Sequence, residues 1–187
     1  MKVALIILGV IVGILLLLVV WGIGVYNSLV KKKLRVEEGY ATMDVYLKKR
    51  FDLIPNLVAT VKGYAKHEAE TLEKVIMARN SASVMMPEAR FQDENSISGA
   101  LKSIFALSES YPELKANANF MQLTSELKHV ENDIAAARKY YNAVVKEYNT
   151  AIMTVPTNLI ASMFKFKKQQ MFEVDSQEER KNVTVAF

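Results

Sequence analysis

Two short runs in this chain contain residue types that could do chemistry. His67-Glu68-Ala69-Glu70-Thr71 opens like the zinc-protease motif H-E-x-x-H, in which two imidazoles one helical turn apart ligate the metal. Thr71 stands where the second imidazole is required, so the ligand set is incomplete. Glu126-Leu127-Lys128-His129 is an E-x-x-H, a spacing that places a carboxylate and an imidazole on one helix face. Bundle di-iron sites need two such motifs and two further glutamates, whereas this chain has only 2 histidines and Tyr64, not glutamate, three residues before His67. A metal-dependent enzyme built on Glu68, Glu126 and His129 is thus the weaker reading. There is no G-x-G-x-x-G, Walker loop or G-x-S-x-G, and with 0 cysteines neither a thiol nucleophile nor a thiolate metal site is available. No catalytic residue, cofactor, metal or small-molecule substrate is expected.

More informative are the polar residues set among apolar ones. Asn56, Lys62, His67, Glu68, Arg79, Asn117, Asn119, Glu131, Arg138, Asn142 and Asn149 fall on or beside helical seams. Buried polar groups cost stability unless paired, so these side chains are expected to satisfy one another across helices as a buried polar network. Glu68 interrupts one seam and Arg138 the other, which suggests an ion pair between them. Setting helix register is the favoured role over forming a ligand-binding cluster.

The seams define the elements that must position these residues. Leu47, Phe51, Ile54, Val58, Val61, Ala65, Leu72 and Val75 recur at alternating three- and four-residue steps with Glu68 the one polar occupant, and Leu127, Ile134, Tyr141, Val145, Tyr148 and Ile152 form a second heptad series that Arg138 interrupts. The first series keeps its phase through Pro55, which predicts one long helix kinked at the proline. The alternative is a new helix capped by Asp52 with Pro55 in its first turn. A polar break is expected between Asn80 and Asn95, followed by a short helix over about Ser96–Ser110. Pro112 should start a long helix that Pro156 stops after Met153, and Thr157–Phe172 should add a last short helix. The fold class is therefore all-α, an N-terminal transmembrane helix followed by an elongated, up-and-down antiparallel helical bundle.

No charge interrupts the chain from Val3 to Tyr26, a run of about 36 Å as a helix at about 1.5 Å per residue, longer than a hydrocarbon core of about 30 Å. Trp21 and Tyr26 suit the headgroup layer at its far end. The run exceeds the apolar stretch of a cleaved signal peptide, so residues 1–26 read as an uncleaved anchor and 27–187 as the bundle domain. The 187 residues carry 24 Lys and Arg against 20 Asp and Glu, and the excess of +4 is matched by Lys31, Lys32, Lys33 and Arg35 alone, so a general nucleic-acid binder is not implied and no nucleic acid is expected as a partner. By the positive-inside rule these four cations keep the bundle cytoplasmic and leave a short N-terminus outside. Met163, Phe164, Phe166, Met171 and Phe172 alternate with Lys165, Lys167 and Lys168, either as a helix docked on the bundle, the favoured reading, or as an interfacial segment. Asn182-Val183-Thr184 matches a glycosylation acceptor only formally.

Five blocks in order carry a resemblance: YNSLV at Tyr26–Val30, the stretch Lys48–Arg79, YPELKANANFMQL at Tyr111–Leu123, Glu131–Asn149, and Pro156–Ala161. Together they resemble the LemA family of bacterial membrane proteins. Tyr46, Lys48 and Lys49 depart from its pattern, and Ser81–Asn95 has no family signature. The resemblance implies a single-pass anchor in the bacterial inner membrane and no established enzymatic activity. It also implies an association with an HtpX-type membrane metalloprotease and, in one branch, with magnetosome membranes. The expected function is a non-enzymatic membrane-anchored scaffold that self-associates as a homo-oligomer, aided by the Gly9/Gly13 spacing, and organises or shapes the lipid bilayer. The alternative is a monomeric adaptor for a membrane protein such as that protease.

Overall fold

The computed structural model of the chain describes residues 2–84 and 87–172. The Asn182 acceptor lies outside them. All regular structure among the described residues is helical: α1 Lys2–Tyr64, α2 Ala69–Val84, α3 Pro87–Ser108, α4 Pro112–Lys115, α5 Ala118–Met153 and α6 Thr157–Met163. The chain forms two compact units. One is built from Met1–Ala41 and Lys139–Met171, and the other from Thr42–Arg138 with Phe172.

In the second unit every member of the first seam is buried, from Leu47 through Val61 on α1 to Leu72 and Val75 on α2. α1 passes Pro55 without interruption, so no hairpin forms there. The chain reverses later, in the turn Ala65–Glu68, where the Leu72 N–H donates to the Glu68 carbonyl at the start of α2. The expectation of one helix from Leu47 to Val75 is therefore corrected. The heptad spacing from Ala65 to Leu72 spans the turn because both ends face the same core.

Pro55 has no N–H to give the Phe51 carbonyl one turn earlier. α2 folds back far enough for Arg79 to supply that donor, its Nε lying 3.5 Å from the Phe51 oxygen. α5 runs antiparallel to α1 in this unit, as Glu131 pairs with Arg50 and Asn117 with Tyr64. The expected helix from Pro112 to Met153 breaks after Lys115. Asn117 Oδ1 accepts the Phe120 N–H at 3.0 Å, which makes Asn117 a side-chain cap for a fresh start. The polar break expected over Asn80–Asn95 is mostly helical backbone, since α2 runs to Val84 and Pro87 begins α3 at a position proline favours.

In the first unit α1 and α5 are again antiparallel. The second seam is buried here through Tyr141, Val145, Tyr148 and Ile152. Gly39 lets the helices close: a β-carbon there would sit 3.4 Å from atoms of Tyr140 and Val144. At the end of α5 the Thr157 hydroxyl lies 2.5 Å from the Ala151 carbonyl, a group the helix end leaves without a donor, and 2.9 Å from that of Thr154, which also accepts the Asn158 N–H at 2.8 Å.

The pairing of Pro55 with Arg79 makes a prediction. Arg79→Ala should cost about 1–3 kcal/mol, the penalty of an unpaired buried acceptor. Pro55→Ala returns an N–H to the Phe51 carbonyl, so alone it should leave the fold intact or slightly more stable. Combined with it, Arg79→Ala should cost measurably less. Urea unfolding of the four proteins in detergent, followed by helical circular dichroism, gives the coupling. An equal cost of Arg79→Ala in both backgrounds would show that the guanidinium does not serve this carbonyl.

Candidate membrane-proximal site

The first part of α1 is long and apolar enough to cross a membrane, and none of that stretch is buried by the protein. Its large apolar side chains from Val3 to Val20 are 47% to 71% exposed. Such a surface is stable only in another apolar medium. Where the run ends, α6 and the residues after it pack against α1. Ile160 sits 3.6 Å from the position of a β-carbon on Gly22, and the Tyr26 ring lies 4.7 Å from that of Phe164 and 5.9 Å from that of Phe166.

α6 stops at Met163, short of the helix expected to Phe172. The Lys165 N–H bonds the Ser162 carbonyl at 3.1 Å and the Phe166 N–H bonds that of Ala161 at 2.9 Å. This pair of bonds reverses the chain through a left-handed residue, here Lys165 at φ 57°, where glycine is the usual occupant. The irregular strap that follows is held by side chains of α5. The Tyr148 hydroxyl donates to the Lys167 carbonyl and the Tyr141 hydroxyl to the Gln170 carbonyl, each at 3.0 Å. Asn149 donates to the Gln169 carbonyl at 2.8 Å and accepts the Gln169 N–H at 2.9 Å. Burial pushes the Tyr148 hydroxyl above its ordinary pKa, so it stays protonated and remains a donor. Sequence reading placed Tyr141 and Tyr148 in the core and missed their tips. The available signal was tyrosine, not phenylalanine, at two seam positions, the second beside Asn149.

Of the expected interface residues, Trp21 and Tyr26 are 41% and 36% exposed. Lys31 is exposed, Lys32 pairs with Glu147, Arg35 lies 3.9 Å from the same carboxylate, and Lys33 pairs with Glu37 at 3.5 Å. Lys32 beside it holds the Glu147 carboxyl below the usual 4.5.

The eleven residues expected to form a buried polar network do not all enter the core, and Asn119 is exposed at the start of α5. Asn56, Lys62 and His67 are exposed, because they fall on the outer side of α1 and in the turn after it. Glu68 accepts from the Tyr111 hydroxyl at 3.1 Å, which raises the tyrosine pKa, and no Glu68–Arg138 ion pair forms. The Arg138 guanidinium lies 4.3 Å from the Phe172 ring centroid instead. Asn117 serves a helix cap and Tyr64, Asn149 serves the strap, and Asn142 is half-buried on α5. Glu131 pairs at 3.0 Å with Arg50, which is fully buried and was not among the expected residues. Glu126 accepts from Gln122, His129 is exposed, and among the described residues no three carboxylates or imidazoles converge as a ligand set.

Two outcomes follow from this geometry. Asn149→Ala should speed hydrogen exchange of the Gln169 amide about tenfold, the loss expected for one hydrogen bond, while amides inside α5 are unchanged. The lowered Glu147 pKa contributes stability that is fully present above the unfolded value near 4.5 and is lost as pH falls through the lower folded value. Both partners are partly exposed, so less than about 1 kcal/mol is at stake. Glu147→Gln should flatten the acid limb of stability against pH, and an unchanged limb would refute the pairing.

Protein LemA of Metamycoplasma hominis is 28% identical over 171 residues, which cover 84% of this chain and 77% of that protein. Magnetosome proteins MamQ 1 and MamQ 2 of Paramagnetospirillum magneticum are each 31% identical over 74 residues, 40% of this chain and 27% of theirs. The profile of the LemA family matches residues 39–187. Covering α2 to α6 and the part of α1 beyond Glu38, that match shows that this chain belongs to the LemA family.

Proposed function

We propose that this protein is a non-enzymatic scaffold anchored in the bacterial inner membrane, which self-associates and so organises or shapes the bilayer. The observation that carries this reading is the bare apolar head of α1, continued without a break into a helix whose remainder is packed in the two units. A cleaved leader has no need of such continuity, whereas an anchor transmits its position through it. Lys31, Lys32, Lys33 and Arg35 follow the span and favour a cytoplasmic bundle with a short N-terminus outside.

Self-association is supported by Gly9 and Gly13, which have nothing within 4 Å and leave room for a second span to approach. The relatives named as magnetosome proteins accord with a role at a membrane. A second reading, a monomeric adaptor for a membrane protein such as an HtpX-type protease, is favoured by a groove between α2 and α3 of about 510 Å³, open to solvent beside Met77.

Both parts of the proposal can be tested. Because the chain has 0 cysteines, Ser110→Cys gives a single labelling site on the bundle. A membrane-impermeant maleimide should reach it only after spheroplasts are lysed, and labelling of intact spheroplasts would reverse the topology. Light scattering in detergent, with the detergent contribution subtracted, should give a multiple of 21.1 kDa at micromolar concentration, falling toward one copy in a Gly9→Leu, Gly13→Leu variant. A monomeric mass with unchanged liposome shape would leave the adaptor.

A further inference from the structure

One side of the membrane-proximal unit carries a groove of about 540 Å³ between α1, α5 and the strap. Val30, Leu34 and Tyr148 give it an apolar wall, and Tyr26, one turn before Val30, lies at the end nearest the bare head of α1. Three lysines line it, Lys33, Lys165 and Lys167, with Glu37 the one acidic residue among the lining. Glu37 is taken up by Lys33 at 3.5 Å, whereas among the described residues Lys165 and Lys167 have no ion-pair partner. Their backbone is engaged, at Lys165 in the reversal after α6 and at Lys167 by Tyr148. The two side chains are left uncommitted beside an aromatic rim.

The geometry points to a binding site for one anionic phospholipid in this groove. The ammonium groups of Lys33, Lys165 and Lys167 face its phosphate and headgroup, and its acyl chains leave past Tyr26 and Phe164 along the head of α1. The apolar wall and its continuity with the bare span select a lipid over free phosphate. Lys33 lies about 10 Å beyond Tyr26 at about 1.5 Å per residue, and a lysine stem can reach back from there to the headgroup layer. This inference rests on the anchoring reading above.

Lys165 separates binding from folding. Its left-handed backbone suits glycine better than lysine, so Lys165→Gly should hold or raise the melting temperature while removing a cation from the groove. In nanodiscs of equal phosphatidylcholine and phosphatidylglycerol, native mass spectrometry of the released protein should show retained phosphatidylglycerol in excess. Lys165→Gly should reduce that preference about fivefold, the worth of one cation near an anionic surface. The Lys33→Gln, Lys165→Gly, Lys167→Gln variant should abolish it, and Lys31→Gln, outside the groove, should keep it within about twofold. Millimolar inorganic phosphate should not displace the lipid, and displacement would overturn the assignment to a phospholipid. Recovery in nanodiscs with no preference, or with a preference that survives the triple variant, overturns the site alone. Failure to enter nanodiscs overturns the anchor and the site together.

Discussion

The membrane-proximal unit depends on the hydrogen bonds that α5 makes to the backbone of the strap. A chain that leaves helical structure beside a packed bundle exposes N–H and C=O groups that helix formation would have satisfied, and burying them unpaired is costly. Tyr141, Tyr148 and Asn149 pair four such groups, at Lys167, Gln169 and Gln170. The segment can therefore run against α5 without being a helix. That freedom lets α6 end at Met163, turns the chain through Lys165, and brings Phe164 and Phe166 onto Tyr26 where the apolar run of α1 stops. A continued helix would have directed the lysines by its own period of about 3.6 residues.

The same rule operates in the second unit, where cations supply what the helices lack. Arg79 reaches the carbonyl that Pro55 orphans, so a proline inside α1 is compensated by a residue on α2. Arg50 is fully buried, with its Nη1 3.0 Å from Glu131 on α5 and 3.4 Å from the Ser98 hydroxyl on α3. Removing a guanidinium from water is expensive, and its partners offset much of that cost only when all three helices are in register. Arg50 therefore specifies the arrangement more than it adds to stability.

The sequence made the packing surfaces legible more readily than the turns. The seam residues from Leu47 to Val75, and from Leu127 to Ile152, are all buried, because apolar periodicity reports directly which face is taken out of water. It did not reveal that the chain reverses at Ala65–Glu68, since a tight turn can join two helices whose buried faces happen to stay seven residues apart. Nor did it reveal the break at Asn117, where a side chain replaces the helix's own donor–acceptor pattern. The polar residues were recognised as needing partners, but their number and spacing cannot say whether a partner is a side chain or a backbone group. For Arg79 and Asn149 it was backbone. Arg50 was overlooked because a charged residue next to Phe51 reads as the solvated edge of a stripe.

Charge needs similar care. Lys31, Lys32, Lys33 and Arg35 look in the sequence like one basic strip, yet in the folded unit Glu147 takes up Lys32 with Arg35 nearby, and Glu37 takes up Lys33. The positive-inside rule acts while a chain inserts and counts Lys and Arg near the span, with acidic residues contributing little. At that stage Glu147, far along the chain, has not folded against Lys32. Under the proposed topology Lys32 thus serves twice, first to orient the span and then to tie α5 to α1. Once they are tied, the positive charge at the end of the span comes in part from Lys165 and Lys167, far from the strip in sequence and brought to it only by folding. Under that topology a headgroup reaching the folded protein would meet Lys165 and Lys167, which take no part in orienting the span.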